Sequence, residues 1–102
     1  MSIGNARIKP SATTLTTLYT ATADSVISSI VVTNLSATAT TFRLAIRPLG
    51  VSIDDSHYIY YDLPLDGNDT FVFTGGVTLL NTDVVSVYVN DSTVSFNLFY
   101  TY

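Results

Sequence analysis

Residues 26–34 read Val26-Ile27-Ser28-Ser29-Ile30-Val31-Val32-Thr33-Asn34, and residues 41–47 read Thr41-Phe42-Arg43-Leu44-Ala45-Ile46-Arg47. The first run is rich in β-branched residues and apolar on both faces at Ile30-Val31-Val32, which predicts a central, well-buried strand. The second alternates, with Phe42, Leu44 and Ile46 on one face and Arg43, Ala45 and Arg47 on the other. That is the pattern of a half-buried strand whose other side is wet or faces a partner. Between them, Asn34 to Ser36 supplies turn-forming residues.

Outward from this pair the chain repeats the same grammar. Turn formers recur at Asn34–Ser36, Pro48–Gly50, Asp66–Asp69, Gly75–Gly76, Asn81–Asp83 and Asn90–Ser92. They separate about eight predicted strands at the spacing of a sandwich or barrel. These are Thr13–Tyr19, Val26–Asn34, Thr41–Arg47, His57–Leu63, Thr70–Thr74, Val77–Leu80, Val84–Val89 and Val94–Thr101. No stretch of a dozen residues has helical periodicity. The expected fold is all-β: a two-sheet antiparallel sandwich, jelly-roll-like. Seven strands in an immunoglobulin-like arrangement would give a similar pattern. Residues 1–12 are polar, end near Pro10 and hold Arg7 and Lys9, half the bases of the chain. They read as an extended N-terminal arm, leaving 13–102 as the sandwich domain.

At 102 residues the chain is the size of one domain. Apolar residues make up 47% and charged residues 12%, the reverse of a disordered composition. Absence of cysteine rules out disulfides and thiolate metal sites. No apolar run approaches the length of a membrane span, and Met1 to Ala12 has no apolar leader region, so no membrane partner and synthesis in the cytoplasm are expected. The net charge is −4 and uneven. Residues 1–50 carry four bases against Asp24, whereas residues 51–102 carry seven aspartates and no base. Such a chain is a poor match to nucleic acid, whose binding rests on phosphate neutralisation. The polarity between halves suits contacts between subunits.

Candidates for chemistry are few. A Ser–His–Asp triad would need His57, the one histidine, whose neighbours Asp54, Asp55 and Ser56 are ordinary turn formers. Asp66-Gly67-Asn68-Asp69 hints at a calcium loop but lacks its oxygen spacing and closing Glu, so a tight turn is expected. Gly75-Gly76 is not followed by the residues of a phosphate loop and reads as a hairpin turn or bulge. Asn34-Leu35-Ser36, Asn68-Asp69-Thr70 and Asn90-Asp91-Ser92 match the glycosylation pattern and are read as turns. No cofactor, metal or small-molecule substrate is expected.

The aromatics carry more. Tyr58-Ile59-Tyr60-Tyr61 and Phe99-Tyr100-Thr101-Tyr102 place rings on both faces of their strands. Either one set faces another subunit, where tyrosine is enriched, or both faces are covered within the chain. On the first alternative, Arg43, Arg47, Tyr58, Tyr60, Tyr100 and Tyr102 line a subunit interface. Ile3, Arg7, Ile8 and Lys9 of the arm are then free to reach a second partner.

A resemblance rests on particular segments. They are Leu18-Tyr19-Thr20-Ala21, the run Ser25 to Arg43, Tyr58 to Leu65, Gly67 to Phe71, and Val94 to Leu98. Together they resemble small virion proteins of tailed bacteriophages, including those infecting cyanobacteria. Such proteins are described as head decoration (cement) proteins, tail-fibre proteins or minor virion components. The resemblance implies a particle protein; with no catalytic machinery in the sequence, the expectation is a non-enzymatic structural protein on the virion surface. The first expectation is a homotrimer that bridges subunits of the major capsid protein. The alternatives are a tail-fibre or glycan-binding module and a tail or connector component.

Overall fold

The computed structural model describes residues 2–102. Nine strands form two antiparallel sheets: β1 (Ile3–Ile8), β2 (Thr16–Thr20), β3 (Ser25–Asn34), β4 (Thr40–Arg47), β5 (Tyr58–Leu65), β6 (Thr70–Phe73), β7 (Val77–Leu79), β8 (Val84–Val89) and β9 (Val94–Thr101). The first sheet has the order β1-β9-β3-β6, with β7 also on β3; the second has the order β2-β8-β4-β5. β6 pairs with Ile30–Thr33 and β7 with Ser25–Ile27. They are two halves of one strand position, broken where Gly76 takes φ +72°. Gly75-Gly76 is therefore not a hairpin turn, since both flanking strands pair with β3. Merging β6 and β7 leaves two four-stranded sheets whose interleaved order is that of a jelly roll.

The two central strands behave as their sequences predict. β3 lies between β9 and β6/β7, with Ile27, Ile30 and Val32 buried. Ile27 and Ile30 are three apart, out of phase for a regular strand. The register with β9 shifts between Ile27 and Ser29, and this bulge turns both inward. In β4, Phe42 and Leu44 are fully buried while Arg43 and Arg47 face out; Ala45, expected on the open side, is buried as well, and Ile46 is only half-buried. Phe42 packs edge-on against Phe96 at 5.9 Å, which joins the two sheets at the centre of the core.

The N-terminal segment departs from the expectation of an extended arm. Residues 3–8 form β1, an edge strand paired along its length with β9. Its alternation was hidden because the inward positions are Gly4, Ala6 and Ile8, two of them small. Ala6 and Ile8 pack against the core. Gly4 is required by its surroundings, since a Cβ there would overlap the Tyr100 ring. Thus Ile8, expected to serve a partner, is turned into the domain, while Ile3, Arg7 and Lys9 are exposed.

Buried polar groups at both ends of the sandwich are satisfied. Asn34, 1% exposed, donates from Nδ2 to the carbonyls of Thr38 (2.9 Å) and Asp66 (3.2 Å). Its Oδ1 accepts from Ser36 N–H (3.0 Å) and Thr93 Oγ1 (3.2 Å). At the other end the buried Asp83 carboxylate accepts N–H bonds from Leu49 and Leu80, both at 2.9 Å.

Candidate interaction surfaces

The residues considered for catalysis are used locally. Asp54 caps a short 3-10 turn, Asp55–His57, and its Oδ2 accepts the Ser56 hydroxyl at 2.6 Å. His57 Nδ1 accepts the Asp54 N–H at 3.1 Å. Ser56 and His57 both bond Asp54 rather than each other, so no serine–histidine couple forms. Hydrogen bonds from Ser56 hold the Asp54 carboxyl below its usual value. Asp66–Asp69 is a tight turn in which Asp69 N–H donates to Asp66 O at 3.2 Å and Asn68 N–H donates to Ser36 O at 2.8 Å. No group of three metal-ligating side chains gathers among the described residues. Among the described residues no helix is long and apolar enough to cross a membrane.

The outer face of the second sheet carries a cation held between rings. Strand β5 slips twice against β4, once between Leu63 and Tyr60. Asp62 takes φ +52° within that slip. The slip brings Tyr61 over Arg43, whose guanidinium carbon lies 4.0 Å from the Tyr61 ring centroid and 4.3 Å from that of Tyr88. Arg43 Nε donates to Asp62 Oδ1 at 2.7 Å, and this bond raises the Arg43 pKa further. Tyr58 meets Tyr61 edge-on at 4.9 Å. Arg47 is likewise held within the chain: it donates to Ser86 Oγ (3.0 Å) and to the carbonyls of Gly50 and Val51. It pins the loop after β4.

Two of the expected interface tyrosines point into the sandwich. Tyr60 packs edge-on against Phe42, Phe71 and Phe73. Tyr100 lies over Gly4, 4.3 Å from the Tyr19 ring and 5.6 Å from that of Tyr102. For these two strands the inward rings are covered intramolecularly. Tyr58, half-buried, and Tyr102, exposed, are the ones left to a partner.

The outer face of the first sheet was not singled out in the sequence. The register aligns Ile3, Thr101, Val26 and Thr78 in one row, and Arg7, Asn97, Val31 and Val72 in another. Asn5 and Phe99 stand between them. Ile3 is 80% exposed, and Val26, Val72 and Phe99 are exposed too. No carboxylate occupies these rows; Arg7 is their one charge. The alternate phase of the β3 run, Val26 and Val31, was the available signal.

No protein-family model matches the chain, and no curated protein matches it. Among solved structures it is similar to a chain in the acidic stable capsid structure of Helicobacter pylori bacteriophage KHP30. The match has a TM-score of 0.59 at 14% identity and covers 97% of this chain and 85% of that one. At that identity the likeness is one of fold: nearly the whole chain, β1 included, follows the same architecture.

Proposed function

We propose that this chain is a non-enzymatic structural protein of a phage particle, a capsid decoration protein that binds as a homotrimer and bridges subunits of the major capsid protein. The observation that carries the reading is the fold match over 97% of the chain to a chain of a phage capsid structure. It meets the independent resemblance of the Ser25–Arg43, Tyr58–Leu65 and Gly67–Phe71 segments to small virion proteins. A rigid sandwich with a partly apolar outer face that carries one charge, Arg7, suits lateral contact with protein surfaces. The net charge of −4 disfavours the packaged nucleic acid as a partner. The exposed Ile3, Arg7, Lys9 and Tyr102 and the half-buried Tyr58 are the residues offered to partners. Immunogold labelling of purified particles with antibody to the chain tests this. Label over the head is expected; label confined to the tail, or absent, refutes it.

A second reading is a glycan-binding module of a tail fibre. It is favoured by a shallow hollow lined by Asp55, Tyr58 and Tyr61, where rings and a carboxylate lie together. Glycan-array binding that is lost in Tyr61→Ala supports this reading, and a blank array removes it.

A further inference from the structure

The hydrogen-bond phase of β1 leaves one side of the first sheet open. Ser2 N–H donates to Tyr102 O at 2.6 Å, and Tyr102 N–H donates to Ser2 O at 2.8 Å. In an antiparallel ladder such doubly bonded pairs alternate with unbonded ones. Gly4, Ala6 and Ile8, opposite Tyr100, Leu98 and Phe96, therefore bond β9. The N–H and C=O groups of Ile3, Asn5 and Arg7 point away from the sheet, with no strand beside them.

At the far edge the same reasoning applies to β6. Asn34 N–H donates to Asp69 O at 3.0 Å, so Phe71 and Phe73, opposite Val32 and Ile30, bond β3. Val72 presents its N–H and C=O outward. Thr70 presents its C=O, its N–H being capped by Asp69 Oδ1 at 2.8 Å.

The two open edges match in three ways. Arg7, Asn97, Val31 and Val72 form one row across the sheet, and three successive antiparallel pairings make β1 antiparallel to β6. A second copy set beside the first thus places β1 antiparallel to β6 with Arg7 opposite Val72, and both residues have outward-pointing groups. In that register Lys9 stands opposite Thr70 of the next copy, beside Asp69. The charges are complementary, since Arg7 and Lys9 mark one edge while the exposed Asp66 and Asp69 mark the other. Among the described residues the one ion pair is Arg43–Asp62, so none of these four charges is ion-paired within the chain.

We propose that copies of this chain join head to tail, the β1 edge of one adding as a strand to the β6 edge of the next, with Arg7 and Lys9 facing Asp66 and Asp69 of the neighbour. The proposal rests on the reading that the protein self-assembles, and it replaces the tyrosine-lined contact with the sheet edges. Such a heterologous contact generates a ring when its rotation closes, and the trimer proposed above is the smallest such ring. Unpaired edges are ready templates for strand addition.

Light scattering after size exclusion, with circular dichroism to confirm folding, tests it on four variants. Arg7→Glu with Lys9→Glu, and separately Asp66→Lys with Asp69→Lys, each weakens assembly by about tenfold or more by setting like charges together. The chain carrying all four changes swaps the edges and assembles again. Asn5→Pro removes an outward N–H that β9 does not use; it keeps the dichroism spectrum and loses assembly. The proposal is overturned if the wild-type chain is monomeric. It is also overturned if the chain assembles but ignores the Asp66/Asp69 reversal, or if the four-fold swap fails to restore assembly. Particle labelling stands apart from all of these outcomes, so failure of the edge contact and failure of the virion reading are told apart.

Discussion

Replacing Asn34 by alanine removes four hydrogen bonds at once from a side chain that is 1% exposed. Two carbonyls, Thr38 and Asp66, lose a donor, and Ser36 N–H and the Thr93 hydroxyl lose an acceptor. A net contribution of about 1 kcal/mol per bond sets an upper figure near 4 kcal/mol. The loops involved are at the surface, where water reaches some of the freed groups, so the expected loss is about 2–4 kcal/mol. For a domain of this size that lowers the melting temperature by roughly 10–20 °C. Asn90→Ala is the control, because Asn90 makes one exposed bond, to Thr41 Oγ1 at 2.6 Å. Its expected cost is about 0.5 kcal/mol or less. Paired thermal and guanidinium unfolding of both variants checks the difference. If Asn34→Ala loses no more than Asn90→Ala, Asn34 is not the tie that closes this end of the sandwich.

Gly67→Ala sets a Cβ onto the Ala37 carbonyl and forces the two loops at the same end apart; a loss of about 1–3 kcal/mol in chemical unfolding is expected. Arg43→Ala removes the guanidinium from between Tyr61 and Tyr88, costing about 1–2 kcal/mol when the exposed ion pair and the two ring contacts are counted together. Arg43→Lys should recover little of this, because the ammonium neither forks nor stacks. The Tyr100 phenol is held above its ordinary 10.0 by its hydrogen bond with Tyr19 and then by burial. Its proton is bound more tightly in the folded chain, so its contribution is complete below pH 10.0 and is lost as pH rises through the folded value. Melting temperatures measured across alkaline pH should fall less steeply in Tyr100→Phe than in the wild type.

The strands were legible where side chains announce their phase. Phe42, Leu44 and Ile46 against Arg43, Ala45 and Arg47 specify a strand without help from any neighbour, and β4 is that strand, with the alternation broken at Ala45, which is buried, and Ile46, which is half-buried. β1 was hidden for the opposite reason. Its inward residues include Gly4 and Ala6, and the small size of Gly4 answers to Tyr100, a ring ninety-six positions away in the sequence. Local pattern cannot carry that information. The tyrosines illustrate a second limit. Which ring of Tyr58, Tyr60 and Tyr61 faces out depends on slips of β5 against β4, and a slip belongs to the pair of strands rather than to either sequence. Arg43 and Arg47 were correctly placed on an outer face, but both find their bonds within the chain. Asn34 read as a turn residue and is one, although its burial and four bonds come from three separate loops. The uneven charge was the most useful global signal. Part of it reappears as Arg7 and Lys9 on one edge of a sheet and Asp66 and Asp69 at the other.

The copy number of the chain in gradient-purified particles, measured by quantitative mass spectrometry against the major shell protein, tests the virion reading most directly. A trimer on every local threefold of an icosahedral shell predicts one copy per shell subunit. Absence from the particle, or only about a dozen copies or fewer per particle, as a tail or connector ring would give, contradicts a decoration role.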